Sequence, residues 1–400
     1  MSWEAGIDIN NVSTIICGSK VFFGVGAIEK MNYIAEQMVS RGIRSVIAIT
    51  GGASYEKSGA WAHVTCALEK RGIGCVLYNK VSANPKTHQV DEAAKLARES
   101  GCGAVIAIGG GSPIDAAKSV AVLMQQPGVT CRELFEKKLS ITSAVPVIAI
   151  NLTHGTGSEV NRFAVLSIPE KQYKMAIASD HIYPWYSIND PALMTSLSDM
   201  HTRYSSIDAL THVIESCSST LNNPLTISQG RELIALIAKY LPLAISDPSD
   251  LTARYFLAYA AMAAGIGFDN GMLHFSHALD HPIVAINTGL AHGLILSVLL
   301  PRVLEEVFPA RSLILAEVLR PIVPGLTGEP CEAKKAADGI RAWLKTLGIT
   351  ERMGDIGFTK ADVPRLTDLV FDTPGLQMLL DSAPTPSNRA VVEKLYMESF

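Results

Sequence analysis

Between residues 45 and 151 the chain carries four short apolar, largely β-branched runs, with a helical stretch between each and the next. "SVIAIT" (45–50) ends at two glycines, and an Ala/Leu-rich helical stretch follows. "GCVLYNKV" (74–81) precedes the helical "THQVDEAAKLARES", and "GAVIAIGGGS" runs through a glycine turn into "PIDAAKSVAVLM". "AVPVIAIN" (144–151) is the fourth. Apolar strands spaced by single helices predict βαβ units, because only a parallel sheet covered on both faces buries such runs completely. The more polar "RFAVLSIPEKQYKMAIAS" predicts an antiparallel excursion of short strands.

From about residue 195 the strand signature stops. Periodic Ala/Leu/Ile-rich stretches take over at 206–219, 227–246, 251–279, 291–307, 310–320 and 332–346, with Pro242, Pro248, Pro301 and Pro321 read as breaks between them. A chain of 400 residues exceeds what most single cores hold. The expected fold class is therefore an α/β parallel-sheet dinucleotide-binding domain (1–194) followed by an all-helical metal-binding and catalytic domain (195–400).

Composition narrows the function classes. A net charge of −4 provides no electrostatic footprint for nucleic acid or an acidic membrane surface. No run reaches the roughly 18 uninterrupted apolar residues of a membrane span, and "MSWEAGIDIN" lacks the basic flank and apolar core of a secretory signal. The seven cysteines contain no CxxC pair and read as reduced thiols. A cytoplasmic enzyme is expected, with a small molecule as its partner and a homodimer or larger homo-oligomer as its assembly.

"GGGSPIDAAK" (109–118) closes an apolar strand and opens a helix. Ser112 suits the N-cap, Pro113 the first helical position and Asp115 the third, so a capping box is expected. Gly109, Gly110 and Gly111 let a ligand approach backbone N–H groups at a helix start, which is an anion site suited to phosphate. The stretch is neither GxxxxGK[ST] nor GxGxxG, which argues against a P-loop and an ordinary Rossmann fingerprint.

The second constellation is metal-like. "SIDALTHVIES" puts Asp208 and His212 at i and i+4 on one helical face. Glu215 follows one turn later and reads as an acidic surface residue. "HFSHALDH" crowds His274, His277 and His281 at i, i+3 and i+7 on a chain with ten histidines, and "GLAHG" adds His292 at a helix start. The spacing alone leaves a metal site, an acid–base relay and a polar stripe open. One carboxylate with three imidazoles and no thiolate suits Fe(II), Zn(II), Mn(II) or Ni(II), and would leave a divalent ion a useful Lewis acid.

"GGGSPIDAAK", "GTGSEV" (155–160), "IDALTHVIE" (207–215) and "HALDHP…AHG" (277–293), in this order, resemble the iron-containing alcohol dehydrogenase family, related to dehydroquinate synthase. The likeness covers nearly the whole chain. It implies a dinucleotide-binding α/β domain and a helical domain, with metal, nicotinamide and substrate in the cleft between them. The resemblance assigns the metal, Fe(II) with Zn or Mn as alternatives, to Asp208, His212, His277 and His292. It places His281 in proton transfer. Gly110, Gly111, Ser112 and Asp115 match the pyrophosphate loop; Thr153, Thr156 and Ser158 match the second cofactor loop; Lys174 matches the lysine near the nicotinamide ribose.

Gly51 stands where NAD-preferring relatives carry Asp. "GGAS", with Gly51, Gly52 and Ser54, and Lys57 nearby, resembles NADP-using members, so NADP is favoured over NAD and Gly51→Asp is expected to shift the preference toward NAD. His154 and His274 each replace a small residue. Both are expected to flank the substrate, favouring a polar or anionic aldehyde. The interval from His281 to His292 is one residue longer than the commonest family spacing. The implied reaction is hydride transfer between nicotinamide and a small primary alcohol or aldehyde. Rival readings are a dehydroquinate-synthase-like lyase, a glycerol-type dehydrogenase and a non-haem iron oxygenase.

Overall fold

The computed structural model describes residues 3–6, 13–137 and 139–400; most of the opening stretch read above for a signal lies outside them. In chain order the first part contains β1 (Lys20–Phe23), α1 (Met31–Ser40), β2 (Ser45–Ile49), α2 (Ser54–Lys57), α3 (Ala60–Glu69), β3 (Gly74–Tyr78), α4 (Thr87–Glu99), β4 (Ala104–Gly109), α5 (Gly111–Gln125), α6 (Cys131–Glu136), β5 (Val147–Asn151), β6 (Phe163–Ile168), β7 (Tyr173–Ala178) and β8 (Tyr186–Asn189). Six of these strands form one sheet in the order β1-β8-β5-β4-β2-β3, and every neighbouring pair is parallel. The segment after β5 pairs β6 with β7 as an antiparallel two-stranded ribbon.

Burial shows why continuous apolar runs were needed. Along β4, Val105 and Ala107 join one apolar core while Ala104, Ile106 and Ile108 join another. Strand β5 divides in the same way, Val147 and Ala149 against Ile148 and Ile150. Side chains alternate across a strand, so each face has its own core, and each fully buried Val or Ile contributes about 1.5–3 kcal/mol.

The remaining helices are α7 (Asp199–Ser218), α8 (Pro224–Ser246), α9 (Leu251–Gly271), α10 (Phe275–Ile286), α11 (His292–Val307), α12 (Ser312–Leu319), α13 (Ala333–Thr346), α14 (Val363–Asp372), α15 (Leu376–Asp381) and α16 (Arg389–Met397). No strand occurs among the described residues after β8. The stretch expected as one helix over 251–279 is two. Met272, with φ of 61°, turns the chain between α9 and α10, and His274 becomes the residue that caps α10. Pro242 and Pro301, expected as breaks, lie inside α8 and α11. Each costs a backbone hydrogen bond, and the buried apolar faces of these helices outweigh that loss. Helix α9 is long and apolar enough by composition to cross a membrane, yet Ala253, Ala260 and Ala264 on it are wholly buried in the protein.

The two compact units are not simple halves. Residues 17–199 group with 247–262, and residues 200–246 group with 263–400 and the N-terminal segment to residue 16. The excursion of 247–262 departs from a single division at residue 195. It is anchored within its unit by the Phe23 and Tyr255 rings, 4.6 Å apart, and by the contact of Arg254 with His154.

Candidate metal centre and nucleotide loops

Three helices of one unit supply the metal-like cluster. Asp208 and His212 stand one turn apart on α7, His277 lies in the first turn of α10, and His292 is the first residue of α11. All three imidazole Nε2 atoms converge on Asp208 Oδ1: His212 at 3.2 Å, His292 at 3.5 Å and His277 at 3.6 Å. Asp208, His212 and His277 are buried, whereas the His292 side chain is 25% exposed and forms the open side. The rings of His212 and His277 stack 4.9 Å apart.

Carboxylates stand behind two of the three rings. Nδ1 of His277 lies 2.7 Å from Glu215 Oε2, and Nδ1 of His292 lies 2.7 Å from Asp280 Oδ2. Glu215 is therefore no surface residue; it is fully buried. One turn of α7 beyond His212 carries it inward on the same face, the placement that its spacing from Asp208 allowed.

The electrostatics suit a cation. Burial alone would raise the Asp208 carboxyl, but the imidazoles of His212, His292 and His277 hold it well below the usual carboxylate range. Burial pushes His212 down to about 4. Burial also acts to lower His277, yet the negative charges of Asp208 and Glu215, with the hydrogen bond to Glu215, prevail and raise it to about 9. A site that draws a proton between two carboxylates also favours a metal cation there. Asp208 Oδ1 and His277 Nε2 are buried and make no hydrogen bond, as donors aimed at an ion would be. Ligating atoms of Asp208, His277 and His292 lie within 4.8 Å of one another. The residues fit a divalent ion.

His281 sits one turn after His277 on α10 and is nearly buried. Gly293, unmarked in the sequence reading, is what lets α11 begin where it does. A Cβ there would lie 1.8 Å from the carbonyl oxygen of Tyr204 on α7.

The nucleotide loops belong to the sheet unit. Gly109 and Asn151 are register partners at the carboxyl ends of β4 and β5, so the loops that follow start side by side. Carboxyl ends of parallel strands are where nucleotides bind open α/β sheets. A Cβ on Gly110 would lie 2.8 Å from Thr153, and one on Gly111 would lie 2.7 Å from Thr156; glycine is what allows the loops to meet.

The expected capping box is absent. The cap position of α5 is Gly110, with Ser112 already inside the helix. Asp115 instead reaches across to the second loop, accepting from Ser158 Oγ at 2.5 Å and from Val165 N–H at 3.0 Å. Buried Lys118 donates to Ser158 Oγ, to both oxygens of Asn161 and to Phe163 O, at 2.7–3.1 Å. Burial raises the Asp115 carboxyl, with Lys118 opposing. Lys174 is buried on β7. A helix start beside a glycine cradle fits a dinucleotide phosphate.

Gly51 follows β2, and a Cβ there would meet the Val81 carbonyl oxygen at 2.0 Å. This approach requires glycine for backbone reasons, so Gly51→Asp would move the chain as well as add a charge. It is no clean report on the cofactor. Gly52 takes a left-handed φ of 58°, and Ser54 begins α2.

The two unexplained histidines are wholly buried. His274 Nδ1 accepts from Phe275 N–H at 2.8 Å, and its Nε2 lies 2.9 Å from Ser218 Oγ. His154 Nε2 lies 2.9 Å from Arg254 Nη1. These partners are structural ones. Burial, then the charge of Arg254, pushes His154 down to about 3. Unfolding returns that ring to the usual range near 6.5, so the unfolded chain binds the extra proton. His154 therefore carries no protonation cost to folding above pH 6.5 and disfavours the fold progressively as the pH falls toward 3. We expect denaturant titrations of His154→Gln to show a shallower loss across this window than the parent, where the slope from one such group approaches about 1.4 kcal/mol per pH unit. Identical slopes would show that His154 is not held neutral.

Comparison with known proteins bears on both sites. The family model described as iron-containing alcohol dehydrogenase matches residues 18–191, and that of the family's C-terminal domain matches 202–400. The long-chain primary alcohol dehydrogenase AdhA of Thermoanaerobacter ethanolicus is 49% identical over 398 residues, covering 100% of both chains. The 1,3-propanediol dehydrogenase of Klebsiella pneumoniae is 30% identical over 95% of this chain and 96% of its own. Among solved structures, the NADH-dependent butanol dehydrogenase A of Thermotoga maritima superposes with a TM-score of 0.87 at 26% identity, covering 97% of this chain and 98% of that one.

Proposed function

Because the chain belongs to the iron-containing alcohol dehydrogenase family, we propose that it is a metal-dependent, NAD(P)-linked dehydrogenase of primary alcohols that also reduces the matching aldehydes. The observation that carries this is the convergence of three imidazole Nε2 atoms on Asp208 Oδ1 within 3.2–3.6 Å. Asp208, His212, His277 and His292 would hold the ion, Fe(II) by family and Zn or Mn by donor set. The ion supplies Lewis acidity toward an alcohol or aldehyde oxygen, and the nicotinamide supplies the hydride chemistry.

The chain's own residues do the rest. Gly110 and Gly111 open the start of α5 to the cofactor pyrophosphate, while Thr153, Thr156 and Ser158 border the same cradle. Asp115 and Lys118 lock the second loop against the first. Lys174 is the candidate for the nicotinamide ribose, and His281 the candidate to take the hydroxyl proton on oxidation and return it on reduction. At the adenosine end, Gly51, Gly52 and Ser54 present no carboxylate to repel a 2′-phosphate, which supports NADP over NAD.

The burial of His154 and His274 removes the support for a charged aldehyde, and likeness to a long-chain primary alcohol dehydrogenase supports an alkyl substrate instead. Seven free cysteines suit a cytoplasmic enzyme, and we assign it a homo-oligomeric assembly. The test is an anaerobic assay of nicotinamide absorbance with Fe(II), either cofactor, and straight-chain alcohols and aldehydes of rising length. Turnover that a chelator abolishes and Fe(II) restores is expected. Absence of nicotinamide-linked turnover across the panel would refute the reading.

A further inference from the structure

Two buried carboxylates stand behind the ligand set, and Glu215 is the more heavily engaged. Its Oε2 lies 2.7 Å from His277 Nδ1 and accepts from His274 N–H at 3.1 Å; its Oε1 accepts from Ser276 N–H at 2.5 Å. A single side chain from α7 thus caps the start of α10 and grips the ligand in that helix's first turn. His274 flanks it, with Nδ1 3.2 Å from Oε1 and Nε2 2.9 Å from Ser218 Oγ.

We propose that Glu215 is the positioning residue of the metal centre, acting on the ion through His277. The carboxylate keeps a proton on Nδ1 of His277, which leaves Nε2 free to bind metal, and it fixes the rotation of the ring toward Asp208. Its negative charge strengthens His277 as a donor and adds to the field that holds a divalent cation. Asp280 stands in the equivalent place behind His292, 2.7 Å from Nδ1. Even so, His292 Nδ1, like His212 Nδ1, is buried without a hydrogen-bond partner among the described residues. The three imidazoles are therefore unequal, and His277, brought by α10, is the one that a carboxylate orients through a hydrogen bond.

This inference rests on the metal reading above, and Co(II) titration separates the two. The apoenzymes of the parent, Glu215→Gln and Glu215→Asp would be titrated with Co(II) against a competing chelator, recording the visible ligand-field spectrum and, separately, the apoprotein thermal midpoint. Glu215→Gln keeps the volume and removes the charge; it is expected to bind Co(II) about 10–100-fold more weakly with an altered band pattern. Glu215→Asp keeps the charge but draws it back from His277 Nδ1, and is expected to weaken binding about threefold. A purely architectural role would lower the thermal midpoint and leave affinity and spectrum as in the parent, which would overturn the proposal. If Glu215→Gln does not fold, Glu215→Asp decides alone, and unchanged Co(II) affinity there overturns it equally. A parent protein that binds no Co(II) would instead refute the metal reading itself.

Discussion

Replacing His277 by alanine should strip the centre of nearly all its ion and lower kcat/KM by about a thousandfold or more. The ring is both a donor toward the ion and the terminus of the Glu215 contact, so truncation removes one ligand and leaves a buried carboxylate facing a void. Lewis acidity is worth several kcal/mol of transition-state stabilisation, and each 1.36 kcal/mol is tenfold in rate. Metal analysis of the purified variant beside steady-state kinetics would check this. Full occupancy with near-parental turnover would remove His277 from the site.

The second large effect is expected at a residue that touches no ligand. Gly293→Ala would set a methyl 1.8 Å from the Tyr204 carbonyl oxygen and 2.6 Å from its carbon. Both obstacles are backbone, so relief must come from moving α11 away from α7. That motion drags His292, the first residue of α11, off Asp208. Misplacement near 1 Å can cost about a hundredfold in rate, and overpacking costs about 1–3 kcal/mol of stability. We expect a hundredfold fall in kcat/KM, weaker metal retention and a lower unfolding midpoint. A fully active and equally stable variant would show that the two helices can part without disturbing the centre.

Neither the place of Gly293 nor that of Glu215 was read from the sequence, although the side chains that converge on Asp208 were. Asp208 and His212 announce themselves because i and i+4 share a helical face, and the clustered histidines of α10 do so by rarity. The strand pattern was legible for a similar reason: four continuous β-branched runs have few ways to be buried other than in a parallel sheet. What stayed hidden depends on which backbone lies opposite. Gly51 looked like a vote on cofactor charge and proves to be pressed against Val81. Asp115 has the spacing of a capping residue, but a partner 43 positions away in the chain claims it. His274 matched the face of His277 on one long helix until the turn at Met272 made it the start of a new one. In each case local spacing described the residue correctly and a distant contact decided its use.

The contrast between α11 and the other helices of the proposed centre would set how long an ion stays. His212 lies deep in α7, and His277 is gripped at its back by Glu215, whereas His292 is the terminal residue of its helix and one quarter exposed. Helix ends fray far more often than helix interiors open. In the proposed centre the ion's escape would thus be gated by the first turn of α11, and its residence time would follow the opening rate of that turn more than the strength of any one coordinate bond.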